Sequence, residues 1–473
     1  MQLAKSITPK KIKTLHCFYL TLLVLLFTAF TPVSGQDNSP YSRYGLGDLV
    51  PSTHINSRGM AGVSAGFSDA YSVNFSNPAS FAYFQSGSEA KSKKLTYGRA
   101  ILDVGINFEN RNITQTSPAG KFKASNSLFS YLQVGMPIKK DWGISFGLRP
   151  VSRISYKMVR NERLKDPLTG LPIDSAQTRF EGDGGSYLAS LGTGLKVFKK
   201  TRGDFEESLS LGISAGYYFG KKDISTRRAL INDTVAYYNG NFQTKTNFNN
   251  IWFNAGLQYK LPMKKKGRFF TAGLFGDWGQ KLNATQDRIR ETFVFDQASG
   301  YLRLDSVSDV KNIKGTIVMP SSVTAGFVIQ QFATTIKEGG WMVGVDFNYQ
   351  NWSKYRFYDQ VDSVKNKWEI RVGAQLNPVP KKNYFSNASY RFGFFTGPDY
   401  ISVQQKLPQF GVTMGVGLPM RVVRNAPNQT TFINLSLEYI RRGNNNNLLK
   451  ENLFRLSAGF SLSDFWFFKR KYD

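Results

Sequence analysis

Side chains able to do covalent or metal chemistry are scarce in this sequence. Only two residues of 473 are histidine, His16 and His54, and one is cysteine, Cys17. His16 and Cys17 fall inside an N-terminal leader, so His54 is the one imidazole expected in the mature chain. A Ser-His-Asp relay built on a single histidine has little to draw on, and a multi-histidine metal site is impossible. A mature chain without cysteine also excludes disulfides and thiolate metal sites. No cofactor, metal or enzymatic activity is expected. The groups left with something to do are charges set into an otherwise apolar and small-polar alternation. Arg149, Arg153 and Lys157 are separated by even numbers of residues, which on an extended strand gives them one shared inward face, and Asp346 sits on another. They are expected to pair with interior neighbours rather than to contact a substrate.

The leader has the organisation of a secretory signal. Lys5, Lys10, Lys11 and Lys13 precede an apolar run from Phe18 to Phe30, and Val33 and Gly35 sit at −3 and −1 of a cleavage point before Gln36. Cys17 precedes the apolar core, so it is not placed for lipid attachment. Residues 1–35 are therefore expected to be removed, and the chain exported. The formal charge of +28 falls to +24 without the four leader lysines. Export argues against a nucleic-acid partner for so basic a chain, and so does the placement of the lysines described below.

Beyond about residue 95 the dominant period is two. In Leu209–Gly220, Leu209, Leu211, Ile213, Ala215, Tyr217 and Phe219 alternate with Ser210, Gly212, Ser214, Gly216, Tyr218 and Gly220. The same scheme recurs at 142–149, 251–260, 341–350, 410–418 and 454–462. These runs are ten or more residues long, the length a tilted strand needs to cross a bilayer, and aromatics gather near their ends, as an interfacial girdle requires. The greasy faces carry no charge. The fold expected is an all-β, antiparallel transmembrane barrel over residues 91–473. Its strands are expected near 96–110, 125–138, 142–158, 185–198, 207–221, 245–261, 268–281, 320–332, 341–355, 366–377, 388–397, 408–420, 430–441 and 452–465. Fourteen is even, so both barrel ends lie on the periplasmic side. The segments 159–184, 222–244 and 282–319 are expected as outer loops, and in the last of them two strand-like stretches, RIRETFVF and GYLRLDSV, leave open an extra hairpin above the membrane.

Charge follows this topology. Lys139-Lys140, Lys199-Lys200, Lys264-Lys265-Lys266, Lys381-Lys382 and Arg421/Arg424 all fall in expected periplasmic turns. They would face anionic lipid head groups, or dock secretion or envelope proteins.

Residues 36–90 have no alternating face. They are rich in Gly, Ser and Ala and end in Asn77-Pro78-Ala79. A fourteen-strand barrel has a lumen too wide for its own side chains to fill. This segment is expected to fold inside as a hatch whose core is the barrel wall. Pro78 fixes its own φ and biases Asn77 toward extended geometry. Asn77 is placed to bond nearby backbone, and Ala79 permits close approach.

With Gly59, Gly62, Gly66, the Asp69-Ala70 step and the Asn77-Pro78-Ala79 box, this opening resembles the FadL/TodX family of outer-membrane transporters. A second resemblance, to the FadL-like barrels of bacteria that use type IX secretion, rests on Ser39–Asp48 (SPYSRYGLGD), Pro320, Asn351-Trp352-Ser353 and Trp466–Lys471. The resemblance implies an outer-membrane location, contact with outer-membrane lipids, and a hatch-filled channel for small hydrophobic molecules such as long-chain fatty acids or aromatic hydrocarbons. Gly59, Gly62, Gly66 and the Asn-Pro-Ala box would then hold or gate the hatch. The alternative is an accessory or scaffold barrel of a secretion or envelope complex, without transport of its own. The chain departs from the barrel pattern at its last residue, Asp473, where a terminal aromatic is common.

Overall fold

In the structure, a computed structural model, the described residues are 39–88, 95–202, 205–232, 235, 237–296, 300–335, 337–403, 405–420 and 429–466. The leader, the Arg421/Arg424 turn and residues 467–473 lie outside them.

Alternation is resolved as the sequence suggests, with apolar side chains outward. On the strand Phe205–Ile231, Leu211, Ile213 and Tyr217 are 44%, 51% and 49% exposed, while Ser210 and Ser214 are buried. A water-soluble sheet would do the reverse. Fourteen strands close into an antiparallel barrel: β1 Leu95–Gln115, β2 Gly120–Lys139, β3 Trp142–Lys165, β4 Pro172–Arg202, β5 Phe205–Ile231, β6 Asn239–Pro262, β7 Arg268–Asp277, β8 Ser322–Gln331, β9 Gly340–Gln350, β10 Lys367–Asn377, β11 Ser389–Pro398, β12 Pro408–Pro419, β13 Thr430–Arg442 and β14 Leu449–Trp466. Each strand pairs with the next, and β14 pairs with β1 from Leu449↔Gln115 to Trp466↔Gly98, which closes the ring.

The segment 282–319, expected as an outer loop with a hairpin left open, forms that hairpin, as Lys281–Asp296 and Gly300–Val318. It pairs with the outer half of β6, from Asn239 to Asn249, while the inner half of β6 pairs with β7. The segments 159–184 and 222–244, expected as loops, are largely strand instead. The ladders of β4–β5 and β5–β6 run on through them, and that of β3–β4 does so with one register shift between Arg163 and Lys165. Tyr187, Phe219 and Tyr217 stack in a row at 5.8–5.9 Å on the outer rim of the apolar belt. Above Tyr187, β4 continues for another fifteen residues, roughly 50 Å at about 3.3 Å per residue.

Residues 39–88 thread the barrel. Their first turn, Pro40–Arg43, lies at the outer end, where Tyr41 donates to Leu449 O at the start of β14 (2.8 Å). Their last segment, Ser86–Ser88, pairs with the periplasmic start of β1. Because no residue beyond Cys17 is cysteine, this course is testable by labelling. With a membrane-impermeant maleimide on intact cells, Arg43→Cys, exposed and stacked on Phe180, is expected to react and Ser88→Cys is not. The reverse pattern would contradict the threading.

Candidate functional site: the plugged lumen

The inward face of the wall is floored with glycine where the hatch meets it. Cross-strand registers align Gly143, Gly194, Gly212 and Gly256 on β3 to β6, Gly344, Gly373 and Gly393 on β9 to β11, and Gly459 with Gly105 on β14 and β1. Together with Gly135, Gly273 and Gly415, this collar draws on twelve of the fourteen strands, and a Cβ at any of these positions would press on hatch atoms. The hatch visits them in order. Ile55 lies against Gly459 and Gly105, Gly59 against Gly415, and Met60 and Ala61 against Gly373 and Gly393. Val63 then meets Gly344, Ala65 meets Gly273, Asn77-Pro78 meets Gly256, Gly212 and Gly194, and Phe81 and Phe84 meet Gly143 and Gly135. The chain therefore winds almost once around the inside of the wall, with its backbone against the wall backbone.

Polar side chains fix this winding. Asn77 Oδ1 accepts from Ala79 N (3.1 Å) and caps the short helix Pro78–Tyr83, while its Nδ2 donates to Ala65 O (2.8 Å) and to Leu257 O of β6 (3.3 Å). Asp346, on β9, accepts from Ser64 N (2.7 Å) and Ala65 N (2.9 Å). Arg58 is buried, and donates to Thr53 O, Asn107 Oδ1 of β1 and Ser130 Oγ of β2. Gly66 has no room for a Cβ beside Thr271 O, and Gly62 takes a left-handed φ of +85°.

His54 is 1% exposed, bonds Ser72 Oγ at 3.0 Å and packs on Phe67.

The outer half of the lumen is closed by charge and by rings. Asp48 accepts from Arg442 (2.9 Å) and pairs with Arg111 (3.3 Å), and Glu451 engages the same two arginines and Ser39 Oγ. Arg442 also meets Asp399, and Arg455 joins Glu109 (2.7 Å) to Glu438 (2.9 Å). Burial alone would raise the Asp48 carboxyl, but Arg111 and Arg442 more than offset it and hold it below the usual carboxylate range. Beside this lattice, Tyr400 donates to Gly47 O and packs, tilted, against Trp352 at 4.1 Å between ring centroids, with Tyr41 and Leu46 in the same buried cluster. Gly45 N donates to Asp362 (2.7 Å), and Lys222 donates to Gly45 O (2.7 Å). SPYSRYGLGD and Asn351-Trp352-Ser353, far apart in sequence, thus meet at the outer mouth. The lumen cavity left over measures about 290 Å³ and is lined by these charged groups together with apolar and aromatic side chains such as Leu49, Leu188, Trp252 and Trp278.

The wall is incomplete at one seam. Pairing between β2 and β3 ends at Leu132↔Leu148. Pro150 follows, with no N–H to give a ladder, and Val151 is an extra residue in the β3–β4 register. The hatch takes over this edge of β3. Leu49 pairs with Ser152, Asp48 with Arg153, and Val50 N donates to Val151 O (3.0 Å). Gly47, at φ +99°, lets the hatch come flush with Arg153 O. A cavity of about 600 Å³ lies at the seam, lined in part by Val50, Leu128, Phe129, Tyr187 and Phe219.

The bulge at Val151 corrects the reading of the wall cations. Before it, Arg149 stays on the lumen side, over the ring of Phe75 (5.7 Å). After it, Ser152, Ile154 and Tyr156 are buried, as is Ser155 beneath Ser42, while Arg153 is half-buried and Lys157 exposed. The three do not share one face, because one inserted residue reverses the alternation. The Asp48 lattice and the seam were not expected from the sequence. Pro150 inside an alternating run was the available signal for the seam.

Fourteen antiparallel strands closed around an N-terminal hatch define an outer-membrane barrel with the FadL-type fold. The crystal structure of a Pseudomonas aeruginosa FadL homologue superposes with a TM-score of 0.53 at 13% identity, covering 89% of this chain and 99% of that one. The monoaromatic hydrocarbon channel CymD and the Pseudomonas putida toluene transporter TodX both give 0.48, at 12% and 15% identity and the same coverage. At such identities the likeness is one of fold. No curated protein sequence matches the chain. The BamG family model matches residues 12–473, and the chain belongs to that family.

Proposed function

We propose that this chain is a plugged, non-conducting accessory barrel of the outer-membrane barrel-assembly machinery. The observation that carries the reading is the closed lumen. The hatch is keyed to the wall on nearly every strand, and the outer mouth is locked by the Asp48–Arg111–Arg442–Glu451 lattice. A hydrophobic solute crossing that region would have to displace paired buried charges, at a cost of several kcal/mol. The apolar cluster at the mouth is filled by the chain's own Tyr41, Leu46, Trp352 and Tyr400. The Bam designation of the family supports a place beside the assembly machinery, and the tall outer sheet of β3–β6 offers surface for partners. Purification of the tagged chain in mild detergent is expected to bring down the central barrel of that machinery in near-equal amount. Recovery of the chain alone would overturn the proposal.

One observation favours a second reading, the uptake of small hydrophobic molecules, with fatty acids or aromatic hydrocarbons as substrates. The β2–β3 seam opens an aromatic-lined cavity sideways into the wall. Removing Val151 while replacing Pro150 by valine restores the register and the missing donor. Under this reading those changes abolish uptake of a labelled fatty acid, whereas unchanged uptake excludes the seam as a route.

A further inference from the structure

The described periplasmic turns carry ten exposed lysines: Lys139 and Lys140, Lys199 and Lys200, Lys264 to Lys266, Lys337, and Lys381 and Lys382. The carboxylates of the same rim are already engaged. Asp141 is held by Lys196 (2.7 Å) and Lys199 (2.6 Å), and Glu206 by Lys196 (3.1 Å), while Glu338 accepts from the Thr334 hydroxyl (2.6 Å). On the outer sheet several cations are paired with carboxylates, as in Arg228–Glu162, Arg227–Glu181 and Lys221–Asp183. Exposed lysines thus outnumber the carboxylates on the described periplasmic rim.

Its depth points to the partner. Lys139 lies over the ring of Trp142 (5.4 Å), the first residue of β3, across a turn too short to reach far from the membrane. Lys381 and Lys382 adjoin the exposed Tyr384 and Phe385, whose short helix Tyr384–Asn387 is tied to the rim by Tyr384 donating to Pro419 O (3.1 Å). Aromatic bodies beside lysine heads mark the level of lipid head groups, where the stem lies along apolar surface and the ammonium reaches outward. We propose that this rim selects anionic phospholipids of the periplasmic leaflet, their phosphates lying against the turn lysines. The inference is independent of the accessory role.

The test is native mass spectrometry of the full chain, released from mixed micelles holding equal phosphatidylglycerol and phosphatidylcholine. The native chain is expected to retain the anionic lipid with a roughly five-fold or greater preference, the factor that one lysine near a charged surface supplies. The preference is expected to fall in 0.5 M salt, as screening requires. It should fall in the variant with Lys139, Lys140, Lys264 and Lys265 all changed to Gln, and survive unchanged in the outer-sheet control Arg160→Gln/Arg163→Gln. A heat-modifiable gel shift confirms that each variant is folded. Equal retention of the two lipids by the native chain would overturn the proposal and leave the rim to an acidic protein. Undiminished preference in the turn variant would also overturn it.

Discussion

Replacing Gly256 by leucine is expected to unseat the hatch. A Cβ at this position overlaps Asn77 Oδ1 and lies 2.9 Å from Pro78 Cδ, so the new side chain collides with the box that caps the Pro78–Tyr83 helix. Overpacking commonly costs about 1–3 kcal/mol where side chains can shift. Here the obstacle is a capped turn bonded to Ala65 O and Leu257 O, so the upper end of that range applies. Roughly 3 kcal/mol raises the undocked fraction more than a hundred-fold. Limited proteolysis in outer-membrane vesicles reads this as cleavage between residues 55 and 84, which the native chain resists. Ala255→Val, on the lipid-facing side of the same strand, is the matched control and is expected to stay resistant. Equal resistance of Gly256→Leu would mean that the collar does not hold the hatch.

The second large effect is expected at Asp48. Asp48→Asn keeps the shape but leaves Arg111 and Arg442 short of a buried carboxylate, and removal of one partner from such a lattice costs about 3–5 kcal/mol. The loss is expected in the urea unfolding free energy at neutral pH. It should come with faster labelling of Arg43→Cys, because the outer end of the hatch hangs on this carboxylate and on Glu451. A loss below about 1 kcal/mol, the scale of a solvated surface pair, would show that the lattice is not part of the seal.

Much of the architecture was legible in the residues. A greasy face opposite a small-polar one, repeated over runs longer than ordinary strands, gave the membrane barrel and its fourteen strands, while 282–319 read as a loop with two strand-like stretches in it. The hatch was visible by contrast, as a Gly-rich stretch with no face of its own. The outer ladders of β3–β6 were hidden because both of their faces meet water, which weakens the alternation that marks a strand. The collar was visible only as scattered small residues. Gly143, Gly194, Gly212 and Gly256 become one surface through registers that no single strand encodes. Asp48 and Arg442 stand 394 residues apart, and nothing local links them. The wall cations failed as a group for a local reason, since Pro150 and the inserted Val151 reverse the face on which everything after them falls.

Asp346 shows the same division between chemistry and position. Its sequence announced a charge in a small-polar face, and pairing with an interior neighbour was the expected outcome. That the neighbours are two hatch N–H groups, Ser64 and Ala65, follows from how the hatch winds past β9. The closed state thus depends on backbone placed against backbone, with a few carboxylates and amides fixing the angle of approach.

The seal itself is read most directly by planar-bilayer conductance of the purified chain, compared with a chain lacking residues 39–84. The intact protein is expected to insert without current steps, and the shortened one to open a steady water-filled pore. Stable conductance from the intact chain, or the same silence from both, would contradict a barrel closed by its hatch.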